Sequence, residues 1–325
     1  MLDAVIFMSD RISAYVENRL SGRLGCTSGP FALDRCHAGV HSEVYFLTMP
    51  GFEPLVLKVF SKRRRFRSAV ACQQYLAGQG IAVPRIISID EDTRFFNRRG
   101  MHVLCEERIA GDSLQHLPRT PGLIAEVAQL YAGMHAIQRS AWGDIKQGKT
   151  TGLHAALRKK LVERLDGWGR AEELGPALRE KIIAKFAAGQ DQVDSIRSFS
   201  LSHTDPNRNN LILRAGDRRL FLLDTGSLRY LPRAIDYFML QAYFCFDNPG
   251  HSALFEEAYF QGMAPRELAA FRESQEVFRL YVIILFAHDL STRFAALDRS
   301  SPYFDEFARL IPLAKNTLTK LLETK

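Results

Sequence analysis

The sequence has few cysteines and no pattern among them. The five, at positions 26, 36, 72, 105 and 245, form no C-x-x-C pair, and their odd number excludes a fully paired disulfide framework. Reduced thiols and a cytoplasmic location are the expectation. Long apolar runs are also missing. The strongest, "LYVIILFA" from Leu280, falls far short of the roughly 20 residues of a membrane span and reads as a buried helix. The opening "MLDAVIFMSD" lacks the basic start and apolar stretch of a secretory signal. Internal repeats and low-complexity segments are absent from the sequence.

What is present is the composition of a folded globular protein. With 46% hydrophobic and 24% charged residues over 325 positions, the chain can bury one large core or two modest ones. The formal net charge of +7 and pI of about 9.2 suit an anionic partner such as a nucleotide, phosphosugar, nucleic acid or anionic lipid; simple solubility explains them equally well. The densest basic run, "SKRRRFRS", reads as a solvated turn after a strand.

Periodicity divides the chain. Val5, Ile6, Ile12, Val16 and Leu20 have helical spacing. "SEVYFLTM", "PLVLKVF", "VPRIISI" and "MHVLCEERI" read as strands, with a helix over 67–77 ended by "GQG". After Ala110 the character turns helical, in "LIAEVAQLYAGMHAI", "LHAALRKKLVERL", "LREKIIAKFAAG" and the segments beyond Ala234, apart from a strand island over 210–224. The expectation is an α+β, two-lobe architecture. A small β-rich N-terminal lobe (1–108) would precede a larger, mainly helical lobe (109–325), with a ligand cleft between them.

Two stretches carry candidate chemistry. "GDIKQGKTT" fits the phosphate-loop pattern G-x-x-x-x-G-K-[ST] through Gly143, Gly148, Lys149 and Thr150. That loop requires a buried strand before it, and "LYAGMHAIQRSAW" has helical spacing instead. The second, "LSHTDPNRNNLILRAGDRRLFLLDTGS", holds His203, Asp205, Asn210 and then Asp224 at the end of an apolar run. Phosphoryl transfer needs a group that orients a hydroxyl and hard oxygen ligands for magnesium, and these residue types supply both. A hairpin centred on Asp217 would set Asn210 and Asp224 opposite each other. Asp205 and Asn207 could instead simply shape a turn at Pro206. Lys58 interrupts the apolar "PLVLKVF" and calls for an anionic partner, for which a nucleotide phosphate would serve; an edge-strand lysine reaching solvent is the alternative. Gly39, before a strand, could form a flexible turn over phosphates.

The order Lys58, "VLCEERIAGDSL", "LYAGMHAI", "HTDPNRNNLIL", "LFLLDTGS" and Asp236 resembles the aminoglycoside phosphotransferase and choline kinase-like family, within the protein kinase-like fold, over about residues 30–240. The resemblance implies Asp205 as catalytic base, Asn210 and Asp224 as magnesium ligands, and Lys58 on the α- and β-phosphates. It implies structural roles at the catalytic loop for His203 and Asp236, and a hinge around Glu106 to Arg108 that hydrogen-bonds adenine. Departures are visible. The family's helix glutamate that pairs with the strand lysine is not evident; Ala69 stands near its place, with Gln73 and Gln74 nearby. Thr204 replaces the usual glycine, D-T-G replaces D-F-G, and Asn207 stands where protein kinases carry lysine, which argues against a protein substrate. "GDIKQGKTT" would fall in a loop between two helices of the second lobe.

The implied function is an ATP- and magnesium-dependent phosphotransferase acting on a hydroxyl of a small molecule, another nucleoside triphosphate being the alternative donor. A weak or inactive kinase-like nucleotide-binding protein is the second reading, motivated by the missing glutamate. A phosphate-loop NTPase using Lys149 is the third. Neither a nucleic-acid partner nor a membrane span is expected, and the sequence names neither the acceptor nor the oligomeric state.

Overall fold

The structure, a computed structural model, describes residues 11–26, 29–36, 42–91, 101–172, 175–296, 299 and 304–323. A helical segment, α1 (11–24), contains a π-turn at Val16–Leu20. It is followed by β1 (Ala32–Cys36), β2 (Glu43–Thr48), β3 (Leu55–Phe60), α2 (Arg63–Gly78), β4 (Ile86–Asp90), β5 (His102–Glu107) and β6 (Gly111–Ser113). Next come α3 (Pro121–His135), the short strands β7 (Gln138–Arg139), β8 (Trp142–Asp144) and β9 (Gly148–Lys149), then α4 (Leu153–Glu172), α5 (Pro176–Ala188) and α6 (Gln190–Asp194). The chain continues through β10 (Phe199–Ser202), β11 (Leu211–Arg214), β12 (Leu220–Leu222) and β13 (Arg229–Leu231). It ends in α7 (Arg233–Phe244), α8 (Pro249–Phe260), α9 (Pro265–Ala295) and α10 (Phe304–Glu323).

Two compact units result, Met1–Ser113 with Leu211–Ser227, and Leu114–Asn210 with Leu228–Lys325. In the first, an antiparallel sheet runs β1-β2-β3-β5-β4. Leu55, Leu57 and Val59 of β3, with Val103 and Cys105 of β5, pack against Ile12, Tyr15, Val16 and Leu20 of α1. On the other face Leu104 and Phe60 meet Phe66, Ala69 and Val70 of α2. A strand covered on both faces reads as a continuous apolar run, which is why "LVLKVF" shows no alternation and why Lys58 stands out in it. β3 lies between β2 and β5, so Lys58 is not an edge-strand lysine.

Three expectations are corrected here. The basic run is no solvated turn but the first turn of α2, which begins at Arg63. Arg63 and Arg67, four residues apart on one helix face, both bond Glu91, and this carboxylate offsets the repulsion of cations at a helix start. The hairpin is one step out of the expected register. Leu211 pairs with Leu222 and Leu213 with Leu220, so the ladder would set Leu223, not Asp224, opposite Asn210. The cause is a loop of even length: Arg218 turns left-handed at φ +55°, and Asp217 binds Arg214 and the Arg219 N–H. Finally, β6 pairs with β11, so the first unit extends past residue 108 to Ser113 and includes the hairpin.

The second unit is mainly helical around α9, which packs against α4, α7 and α10 and buries the "LYVIILFA" run expected there. A small sheet, β7-β10-β13-β8-β9, lies in the same unit. None of the described helices is long and apolar enough to cross a membrane, and all five cysteines are unpaired.

The β6–β11 contact is close. A Cβ on Gly111 would lie 2.2 Å from the Leu213 carbonyl oxygen and 2.8 Å from Arg214 Cα. Gly111→Ala is therefore expected to cost about 1–3 kcal/mol, read as a lower urea midpoint at unchanged slope; an unshifted midpoint would contradict this packing.

Candidate active site

In the first unit, Lys58 is not without a carboxylate. Its Nζ lies 2.6 Å from Glu106 Oε1 on β5. Leu104 is directly opposite Lys58 in the ladder, so Glu106 is its diagonal neighbour on the same face. Glu106 is 2% exposed, and its other oxygen accepts from Gln73 Nε2 of α2 at 3.0 Å. The same Nε2 donates to the Pro84 carbonyl at 2.6 Å. A half-buried lysine and a buried glutamate and glutamine thus form one polar chain. Gln73 has no assigned role in the sequence reading, and only its helical phase relative to Phe66 and Val70 could have flagged it.

The expected hinge is partly spent within the sheet. The Glu107 N–H donates to the Arg85 carbonyl and the Arg108 N–H to that of Pro54. The Arg108 side chain lies over the Phe46 ring, 4.1 Å from its centroid. Gly39 lies outside the described residues. Asp224, separated from the end of β12 by Leu223, is exposed, with φ +48°. Aspartate tolerates this left-handed conformation better than most residues. The next turn is held to α2 by the Ser68 hydroxyl, which donates to the Gly226 carbonyl at 2.9 Å.

In the second unit, the loop after β10 is organised by one buried carboxylate. Asp236, in the first turn of α7 and fully buried, accepts the His203 N–H at 2.5 Å and the Thr204 N–H at 3.0 Å. Thr204 has φ +68°, costly for a β-branched residue, and these two bonds hold it there. Asp205 follows, half-buried. Its Oδ1 accepts from Asn207 Nδ2 at 2.8 Å and its Oδ2 from Asn210 Nδ2 at 3.2 Å. Asn210 Nδ2 also reaches the Asp205 carbonyl at 2.9 Å. The Arg208 guanidinium anchors the loop from the side, on the Leu114 and Leu117 carbonyls. Asp236 also meets His135 Nε2 at 3.4 Å, while His135 Nδ1 lies 2.5 Å from the Tyr259 hydroxyl. Burial lowers the His135 pKa, opposed by Asp236. His135 is a supporting residue that the sequence reading did not single out, although a histidine in the apolar "LYAGMHAI" was the available signal.

"GDIKQGKTT" is no phosphate cradle and no simple loop between helices. Trp142 pairs with Lys149 and Gly143 with Gly148, so it is a β8–β9 hairpin. A phosphate loop directs backbone N–H groups inward. Here the Arg139 guanidinium binds the carbonyls of Ala141, Asp144 and Ile145, the opposite polarity. Lys149 is exposed, 5.5 Å from the Trp142 ring centroid.

Beside the loop after β10, the second unit holds a cavity reaching from Asn207 and Asn209 to α7, α9 and α10. Its apolar wall is Tyr243, Phe286, Leu290, Phe307 and Leu310. Its one carboxylate among the described residues, Asp289, lies 3.4 Å from Arg164 and 3.2 Å from His288, and Arg293 adds a cation. Asp247, a candidate carboxylate for a cationic ligand, is already occupied by Arg119 at 2.5 Å and Arg309 at 2.6 Å. The Tyr243 hydroxyl is buried with no hydrogen-bond partner among the described residues. Burial first, then Asp289, raise its pKa, with a smaller contribution from Asp205.

A family model described as "Phosphotransferase enzyme family" matches residues 33–274. No curated protein matches the sequence. Among solved structures, a thermostable mutant of aminoglycoside phosphotransferase APH(4)-Ia, in ternary complex with AMP-PNP and hygromycin B, is similar at TM-score 0.63 and 17% identity, over 95% of this chain and 99% of that one. A choline/ethanolamine kinase family protein from Mesorhizobium loti gives 0.62 and 16%, over 98% and 95%. Plasmodium vivax ethanolamine kinase gives 0.59 and 11%, over 90% and 82%. At such identities the likeness is one of fold.

Two measurements probe the loop. Thr204→Gly should raise the unfolding free energy by about 0.5–1 kcal/mol, because it removes left-handed strain at some cost in chain entropy; a loss of stability would contradict the strain. His135 is held neutral in the fold while its unfolded form titrates near the ordinary 6.5. The unfolded state therefore binds the extra proton, and stability should fall as pH drops below about 6.5. In thermal melts from pH 8 to 5, His135→Asn should flatten that fall; an identical slope would contradict it.

Proposed function

We propose the following chemistry for this chain, which belongs to the phosphotransferase enzyme family: it transfers the γ-phosphate of ATP, with magnesium, to a hydroxyl of a small molecule. The observation that carries the reading is the Asp205 carboxylate, aimed by two asparagine amides on a loop that Asp236 holds in shape. A carboxylate fixed in this way orients an acceptor hydroxyl and takes its proton as the phosphoryl group arrives.

Each of the two expected magnesium ligands, one in each unit, offers a suitable oxygen. Asn210 turns its Nδ2 to Asp205, which leaves Oδ1 as a hard oxygen ligand, and the exposed Asp224 has no bond among the described residues. The ion, when bound, would neutralise charge on the phosphates. Lys58 would hold the α- and β-phosphates. The Glu107 and Arg108 N–H groups are spent in the sheet, so neither is the hinge donor to adenine. The reading of an inactive protein rested on a lysine without a carboxylate, and Glu106 removes that ground. Unpaired cysteines fit a cytoplasmic enzyme.

The cavity favours an acceptor with an apolar body, uncharged or anionic, rather than a polycation. Among the described residues its aromatic and aliphatic wall has no free carboxylate, and the orphan Tyr243 hydroxyl offers one polar contact.

Purified protein with Mg·ATP should phosphorylate members of an alcohol panel, aryl and alkyl alcohols above aminoglycosides. Asp205→Ala should lower turnover by about 10²–10⁴-fold with the fold intact. Undiminished turnover in that variant, or fastest turnover on aminoglycosides, would contradict the base and the acceptor reading respectively. Lys149→Ala should leave ATP affinity unchanged; loss of binding there would move the site to the β8–β9 hairpin.

A further inference from the structure

We propose that Glu106 on β5, rather than an acidic residue on α2, is the residue that positions Lys58 for nucleotide, so that the sheet and not the helix sets the lysine. The inference rests on the nucleotide-binding reading above. In phosphotransferases built around a strand lysine and a helix glutamate, the ion pair forms only when the helix is docked. Here the helix carries an amide, Gln73, and the carboxylate sits on the neighbouring strand. Its Oε1 lies 2.6 Å from Lys58 Nζ.

Three features make this an assembled site. Lys58 and Glu106 stand on adjacent strands, one diagonal step apart on one face, and the ladder fixes their separation. Glu106 is buried, so its charge is little screened. Gln73 donates both to Glu106 Oε2 and to the Pro84 carbonyl, and so turns the carboxylate toward Lys58. The ammonium keeps donors free for an incoming phosphate, since lysine has three and Glu106 takes one. Lys58 is therefore held ready without any docking step of α2, and Glu106 is a positioning residue.

The test exchanges charge along the chain. Wild type, Glu106→Gln, Gln73→Leu and the double variant Glu106→Gln/Gln73→Glu are titrated with Mg·ATP, and each is melted without ligand. Glu106→Gln should bind Mg·ATP about tenfold more weakly, the loss of one charge-assisted hydrogen bond. The double variant should recover a substantial part of that loss. Its strand amide can accept from Lys58 through oxygen and donate through nitrogen to the carboxylate now carried by the helix. Gln73→Leu should cost less than Glu106→Gln. Wild-type affinity in Glu106→Gln, or an equal loss in Gln73→Leu, would overturn the proposal. If wild type itself binds no Mg·ATP, the proposed function fails, and the melts still decide the pairing. Glu106→Gln should then lower Tm by several degrees and the added Gln73→Glu should restore part of it; no drop, or no restoration, overturns the pairing.

Discussion

A positive charge placed inside a two-sided sheet must have a fixed counter-charge, and the Lys58–Glu106 pair is how this fold meets that requirement. β3 is covered by α1 on one face and α2 on the other, so Leu55, Leu57, Val59 and Phe60 of its apolar run fill cores. An ammonium at residue 58 would be costly there without a carboxylate. Glu106 supplies it from the adjacent strand, and Gln73 completes the polar set from the helix. Both units use the same device. In the second, Asp236 is a buried carboxylate whose partners are backbone N–H groups, and it offsets the strain of a left-handed threonine beside Asp205. In both places a buried acid fixes a group with a proposed role in the reaction.

The loop around Asp205 was legible because its candidate residues are local. His203, Asp205 and Asn210 lie within eight residues, and these residue types marked the stretch as candidate chemistry; the structure joins Asp205 and Asn210 directly. Asp236 was legible only through resemblance, since nothing local marks an aspartate 33 residues from its partner. Lys58 was visible as a charge in an apolar run. Its partner was not, because Glu106 is 48 residues away and its neighbour Glu107 is equally acidic. Strand pairing decides between them: Glu106 shares a face with Lys58, and Glu107 points the other way, to the Arg85 backbone N–H.

What misled the reading was also physical. The basic run belongs to α2 because Glu91, outside the local window, bonds two of its arginines. The hairpin register depended on whether the loop held an odd or even number of residues, which Arg218 decides by its backbone conformation. The phosphate-loop pattern matched letters but not polarity, since Arg139 fills the hairpin with a cation where a phosphate loop would present N–H groups. Short strands of two or three residues, such as β7 and β9, carry too little periodicity to be seen in advance.

The central claim is that Lys58, held by Glu106, is the cation that meets the nucleotide. A crystal structure with Mg·AMP-PNP tests it most directly. The account predicts Lys58 Nζ within hydrogen-bond distance of an α- or β-phosphate oxygen while still bonded to Glu106, with Lys149 exposed and unengaged. Phosphates seated at Lys149, or a Lys58 that meets phosphate only after leaving Glu106 for a group on α2, would contradict it.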